Sequence, residues 1–176
     1  MSIYTSHTHM DHCGYVIGYH VLPMFHLMGV GAMAAATWSG SISSVYPPQF
    51  PPMAPTPDTA LSHLVYTKAN AVVYPPIILH ALMAMKPAET VEVLKKLVSV
   101  AYGGGPLNRS VGDALAKQGV KLGNLYGMTE VLCIANFLPT PVDGEDWDWV
   151  HVHKAHRIHY RDLGHETYEP IFMVSL

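Results

Sequence analysis

The sequence predicts an α/β fold, built of βαβ units on a mainly parallel sheet and closed by a strand-rich C-terminal segment. Three observations carry this expectation. Short β-branched and aromatic runs, SISSVY, NAVVY, LVSVAY and VKLGNLY, alternate with helical stretches of about ten residues, the pattern of parallel strands joined by crossovers. A chain of 176 residues that is 49% hydrophobic and 13% charged can bury one core, so a single domain over 1–176 is expected. From Asp143 the composition shifts to aromatic and histidine-rich alternation.

The elements follow in order. HVLPM is a short apolar run from His20, and LMGVGAMAAATW, Leu27 to Trp38, predicts a buried helix ending at Gly40, shorter than the roughly 20 residues a membrane span needs. SISSVY is a strand. Residues 46–58, YPPQFPPMAPTP and its neighbour, form a proline-dense loop, because each ring fixes φ and removes a donor; a connecting loop is preferred to a docking motif for a proline-reading domain. Asp58 or Thr59 can cap a helix to about Lys68, NAVVY is a buried strand, and PIILHALMAM starts a helix on proline, where the missing N–H costs nothing. ETVEVLKKL is a helix, LVSVAY a strand, and PLNRSVGDALAKQG a helix ended by Gly119. VKLGNLY and CIANFL are strands. Residues 143–176 place Trp147, Trp149, His151 and His153 on alternate positions, and YEPIFMV closes the chain as a strand.

Charge and cysteine usage exclude several classes. A net charge of −3 with singly scattered charges offers no stripe for nucleic acid and no polybasic membrane patch. Cys13 and Cys133 lie far apart without a C-x-x-C spacing, which argues against a disulfide framework and for a reducing, cytoplasmic setting. The N-terminus has no basic n-region followed by an apolar stretch, so no signal peptide is expected.

Two stretches suggest chemistry at first sight. SHTHMDHCG places His7, His9, Asp11 and His12 in an H-x-H-x-D-H spacing that resembles the metallo-β-lactamase superfamily, and imidazoles at i and i+2 on an extended segment share a face. Such a site also needs strands before the loop and ligands downstream. Its only downstream candidates are His63 and His80, in helical apolar patterns that suit core or boundary histidines, and Asp113, inside a helix. The hydrolase is therefore the weaker alternative. His151, His153, His156 and His159 fit a half-exposed strand with adventitious chelation at most.

The second stretch is VAYGGGPLNRSVGDALAKQGVKLGNLYGMTEV. Gly103, Gly104 and Gly105 leave the backbone bare at the carboxyl end of a parallel strand, where open α/β sheets bind ligands. Alone this is a weak signal, because neither a P-loop spacing nor G-x-G-x-x-G is present. YGMTE then adds an aromatic ring, a bare glycine, a hydroxyl and a carboxylate, the groups that stack a purine, admit a phosphate and hold Mg²⁺.

GGGPL followed by NLYGMTE, with HVLPMFHLMGV upstream as L-P-x-x-H-x-x-G, resembles the adenylate-forming superfamily of acyl-CoA synthetases, peptide synthetase adenylation domains and luciferases. The proline loop, GGGPLN, DWDW and the YE-x-x-x-V run bring the resemblance nearest to fungal adenylate-forming reductases, over nearly all of the chain from about His12. The resemblance implies a fragment of the large N-terminal domain. It implies that Gly103, Gly104, Gly105 and Pro106 lie beside the adenine and the acyl carboxylate, that Asn124 meets the adenine edge, and that Tyr126, with Gly127 after it, stacks on the base. Thr129 would meet the α-phosphate, Glu130 would hold Mg²⁺, and His26 with Phe25 would wall the pocket of a small carboxylic acid.

The reaction so implied is attack of a carboxylate on the α-phosphate of ATP, giving an acyl-adenylate and pyrophosphate. The family's Ser/Thr/Gly-rich loop with lysine is not found before LPMFH, and neither its Y-R-T-G-D run nor its C-terminal lysine domain follows YEPIFMVSL. The expectation is a partial adenylation domain, inactive alone, whose sheet edges are covered by missing domains in cis or by another protein. A non-catalytic nucleotide-binding or interaction remnant is the alternative.

Overall fold

The structure, a computed structural model, describes residues 12–137, 146–152 and 157–173. The chain runs β1 (Val16–Gly18), α1 (Leu27–Ser39), β2 (Ile42–Ser44), α2 (Pro57–Thr67), β3 (Ala71–Tyr74), α3 (Pro76–Met85), α4 (Pro87–Leu94), β4 (Ser99–Gly103), α5 (Arg109–Lys117), β5 (Leu122–Met128), β6 (Leu132–Phe137) and β7 (Val150–Val152). A separate hairpin, β8 (Ile158–Gly164) and β9 (Thr167–Phe172), forms its own two-stranded sheet.

The main sheet has the order β2-β1-β3-β4-β5-β6-β7. Strands β1 to β5 pair in parallel, as expected, and β6 and β7 continue the sheet antiparallel. The chain steps from β1 outward to β2, then returns past β1 to β3 and onward. Helix α1 accordingly lies on one face and the later helices on the other.

Side-chain alternation along β3 shows the two faces. Val72 and Tyr74 join Val100, Tyr102, Leu122 and helix residues Leu61, Leu64, Leu79, Leu82, Leu94 and Leu115 in the larger core, while Ala71 and Val73 pack with Ile17, Tyr19, Leu22 and Ala32 of α1 in the smaller one.

Several expectations are corrected. The first strand precedes HVLPM, whose residues lie in turns leading into α1 even though Val21 and Leu22 are buried. Helix α1 is not buried all round: Gly29, Ala32 and Ala35 are buried, whereas Val30, Met33 and Trp38 are 48%, 47% and 64% exposed. Small residues mark its packed side: Ala32 joins the smaller core, and Gly29 lies against the Pro23–Met24 backbone. The cap of α2 is Thr56, not Asp58 or Thr59. Thr56 Oγ1 accepts the Thr59 N–H at 3.2 Å while the Thr56 N–H donates to Thr59 Oγ1 at 2.9 Å, a reciprocal box that places Pro57 at the first helical position.

Candidate functional site

Because β1, β3, β4 and β5 are parallel, the segments that follow them emerge at one edge of the sheet, the edge where open α/β sheets take ligands. The glycine loop lies on this edge. Gly103 is paired with Leu125, and a Cβ there would stand 2.8 Å from the Leu125 carbonyl oxygen, so a side chain would push β4 off β5. Gly104 has φ +86°, a conformation that favours glycine, and a Cβ on Gly105 would meet nothing within 4 Å. Gly104, Gly105 and Pro106 are exposed, and Leu107 turns the chain back into the core. Asn108 then caps α5, its Oδ1 accepting from the Ser110 N–H at 2.9 Å and the Ser110 hydroxyl at 2.8 Å.

Beside this loop, β5 does not stop at Tyr126 but continues through Met128. Thr129 to Val131 turn the chain into β6, with the Val131 N–H donating to the Met128 carbonyl at 3.3 Å. The pairing shifts register between Tyr126 and Gly127. Tyr126 is 37% exposed, and Gly127, Thr129 and Glu130 are exposed. Asn124, half-buried, pairs in register with Tyr102 one residue before the glycine loop, and its Nδ2 reaches the Asp148 carbonyl at 3.5 Å. Gly103 thus has Leu125 as its partner on β5, with Asn124 and Tyr126 on either side of that residue, and Gly127, Thr129 and Glu130 follow along the strand into the β5–β6 turn.

His26 arrives from α1. It is the N-cap residue, its Nδ1 accepting the Met28 N–H at 3.2 Å, and Phe25 beside it is 92% exposed. A Cβ on Gly29 would stand 2.5 Å from the Pro23 carbonyl oxygen, which explains why a glycine ends the L-P-x-x-H-x-x-G run: the turn folds back onto the first turn of the helix. Met28 Sδ lies 3.4 Å from the Cβ position of Gly104, so the start of α1 meets the glycine loop.

The metal-binding possibilities are limited. Among the described residues no group of three or more His, Cys, Asp or Glu side chains converges on a cation site. A lone exposed carboxylate such as Glu130 fits Mg²⁺, which takes one or two protein carboxylates and draws its other ligands from phosphates and water. His7, His9, Asp11, His153 and His156 lie outside the described residues; the His12 ring is 6.0 Å from that of Tyr15, and His159 is exposed in β8.

Two arrangements were not legible in the sequence. Trp147 sits in a turn before β7 and is buried, while Trp149 is 65% exposed; the expected strand alternation is replaced by an anchor. Its indole N–H donates to Asp113 Oδ1 at 2.9 Å, its ring lies 5.8 Å from that of Tyr102, and it fills the space a side chain on Gly112 would need. Next to it, Asp148 Oδ2 accepts from Arg109 Nη1 at 3.1 Å. Burial, with the Asp148 charge adding to it, pushes the Tyr102 phenol well above its usual range. The clue was Gly112 itself, since glycine inside an amphipathic helix costs about 1 kcal/mol without a packing reason.

The second arrangement is a histidine cluster under α2. His20 is buried, its Nε2 3.1 Å from the Ala60 carbonyl and its ring 4.1 Å from that of His63; Tyr74 donates to the same carbonyl at 3.0 Å. His63 Nε2 pairs with Ser44 Oγ at 2.7 Å. Burial, with His63 adding to it and the Ala60 hydrogen bond opposing, pushes the His20 imidazole down to about 4.

Comparison with known proteins fits this geometry. The family of AMP-binding enzymes matches residues 2–156. Adenylate-forming reductase Nps9 of Serpula lacrymans var. lacrymans (strain S7.9) is 34% identical over 164 residues, which cover 87% of this chain and 14% of that protein. Adenylate-forming reductase Nps10 of Heterobasidion annosum is 32% identical over 133 residues, 76% of this chain and 12% of that protein. The chain therefore spans a small part of the curated relatives it matches. Among solved structures, unliganded O-succinylbenzoate coenzyme A synthetase from Bacillus subtilis shares the fold with a TM-score of 0.64 at 16% identity, over 88% of this chain and 32% of that one. The N-terminal domain of FACL13 from Mycobacterium tuberculosis gives 0.57 at 19% identity, over 72% of this chain and 30% of that one. The match runs through the glycine loop and the Tyr-Gly-Met-Thr-Glu turn, on a sheet of the same fold, and the chain belongs to the AMP-binding enzyme family.

Proposed function

We propose that this chain is the part of an acid-activating enzyme that holds a nucleotide and a small carboxylic acid for acyl-adenylate formation. The observation that carries it is the convergence of two elements on the glycine loop: β5, where Leu125 pairs with Gly103 next to Tyr126, and the start of α1, where Met28 meets Gly104 two residues after His26. Gly103 to Pro106 offer bare backbone to a flat base, Tyr126 an exposed ring to stack on it, and Asn124 an amide to its edge. Thr129 donates toward the α-phosphate. His26 and Phe25 wall the space for the acid.

Mg²⁺ at Glu130 would neutralise charge that builds on the phosphate oxygens as the carboxylate attacks and pyrophosphate departs. The residues themselves act by position, holding the carboxylate in line with the α-phosphate. No Ser/Thr/Gly-rich loop with lysine and no Y-R-T-G-D run occurs in the 176 residues. Loss of one preorganised donor costs on the order of 10² to 10³ in rate, so the chain by itself binds without turning over. The exposed sheet edges then call for covering by further domains in cis or by another protein. A cytoplasmic setting suits these substrates.

Titration of the purified chain with Mg·ATP and with AMP tests this. Saturable binding that weakens about tenfold or more in Tyr126→Ala, the loss of one stacking platform, is expected. Carboxylate-dependent pyrophosphate exchange is expected only after the chain is joined to the segments its relatives carry outside the match. Binding without exchange even then would favour a nucleotide-binding remnant, and absence of binding would sink the proposal.

A further inference from the structure

We infer that His80 is a positioning residue that fixes the shape of the glycine loop and thereby sets nucleotide affinity. This deepens the proposed function and rests on it. His80 lies half-buried on α3, the helix that follows β3, and its Nε2 accepts the backbone N–H of Asn108 at 3.0 Å. The two residues are 28 positions apart in the chain, so the bond ties two crossover units together.

The bond falls where the loop needs a tie. The exposed crest, Gly104 to Pro106, has one end fixed by the pairing of Gly103 with Leu125. At the other end Leu107 is buried, and Asn108 spends its side chain on capping α5 through Ser110. The Asn108 N–H precedes the helix and has no helical carbonyl to meet. His80 supplies the acceptor. Two glycines and an exposed proline leave the crest with few contacts of its own, so its backbone would otherwise sample many conformations. Holding it costs entropy once, during folding, rather than at each binding event.

Accepting at Nε2 requires the neutral imidazole with its proton on Nδ1. Glutamine at this position can present its Oε1 near the place of Nε2 and accept the same N–H; alanine cannot. The side chain points to Asn108 rather than into the core, so this histidine, which the sequence suggests is a core or boundary residue, has a directed role.

The test compares wild type, His80→Ala and His80→Gln by amide hydrogen exchange at Asn108 and by titration with Mg·ATP, with thermal melts as a folding control. The expected result is faster exchange at Asn108 in His80→Ala, affinity reduced about three- to tenfold, the worth of one net hydrogen bond, and recovery of both in His80→Gln. Faster exchange with unchanged affinity would overturn the link to the ligand. Unchanged exchange in His80→Ala would overturn the positioning role outright, as would a His80→Gln variant that folds but behaves like alanine. If the wild type binds no nucleotide, the proposed function and the effect on affinity fall together, while exchange at Asn108 still decides whether His80 pins the loop.

Discussion

At the scale of single residues, His20 shows how burial turns a common side chain into a pH-dependent element. Its imidazole drops from the ordinary 6.5 to about 4 because the charged form is not tolerated between the sheet and α2. Between those values the unfolded chain binds more protons than the folded one, so stability is full above about pH 6.5 and falls as the pH drops toward 4, by up to about 3 kcal/mol. Burial also lowers His63 and acts in the same sense. Urea midpoints measured near pH 7 and near pH 5 should differ clearly in the wild type and less in His20→Gln, which can still donate to Ala60. An equally steep loss in that variant would place the acid sensitivity elsewhere.

At the scale of elements, helix α5 and the turn before β7 depend on each other. Trp147 is 2% exposed and occupies the slot above Gly112. Trp147→Ala should cost about 3 to 5 kcal/mol, the usual range for emptying a large aromatic site, read as a lower urea midpoint. Gly112→Ala places a Cβ against the indole ring and should cost about 1 to 3 kcal/mol by overpacking, in spite of alanine's better helix propensity. If it stabilises instead, the indole is free to move aside. Gly29→Ala should likewise lower stability, because the Cβ would press on the Pro23 and Met24 backbone, which has no side-chain freedom with which to yield.

At the scale of the whole molecule, the described residues leave apolar surface exposed, part of it on α1 and the neighbouring edge strand. Val30, Met33 and Trp38 of α1 are exposed, and Ile42 on the sheet-edge strand β2 is 55% exposed. Such surface favours association of copies or capture of a covering segment. Sedimentation velocity should show concentration-dependent association of the purified chain, reduced by the double variant Met33→Glu, Trp38→Lys with an unchanged far-ultraviolet spectrum. Equal association in that variant would clear the α1 face. No described helix is long and apolar enough to cross a membrane.

The sequence by itself determined the α/β class and the parallel order of strand and crossover from β2 to β5, and it supplied the motifs on which the proposed site rests. These are local signals: β-branched runs, proline at helix starts, and short motifs in which GGGPLN and NLYGMTE stand whole within one segment. It missed β1 because three residues between turns carry too little periodicity to register. Only the tertiary structure decided that α1 is exposed on one side, that Trp147 is an anchor, and that His20 and His80 have directed partners. Those facts rest on pairs 34 residues apart for Trp147 and Asp113, 40 for His20 and Ala60, and 28 for His80 and Asn108. Side-chain period along one element tells which face is buried; what that face meets is set when distant elements close on each other.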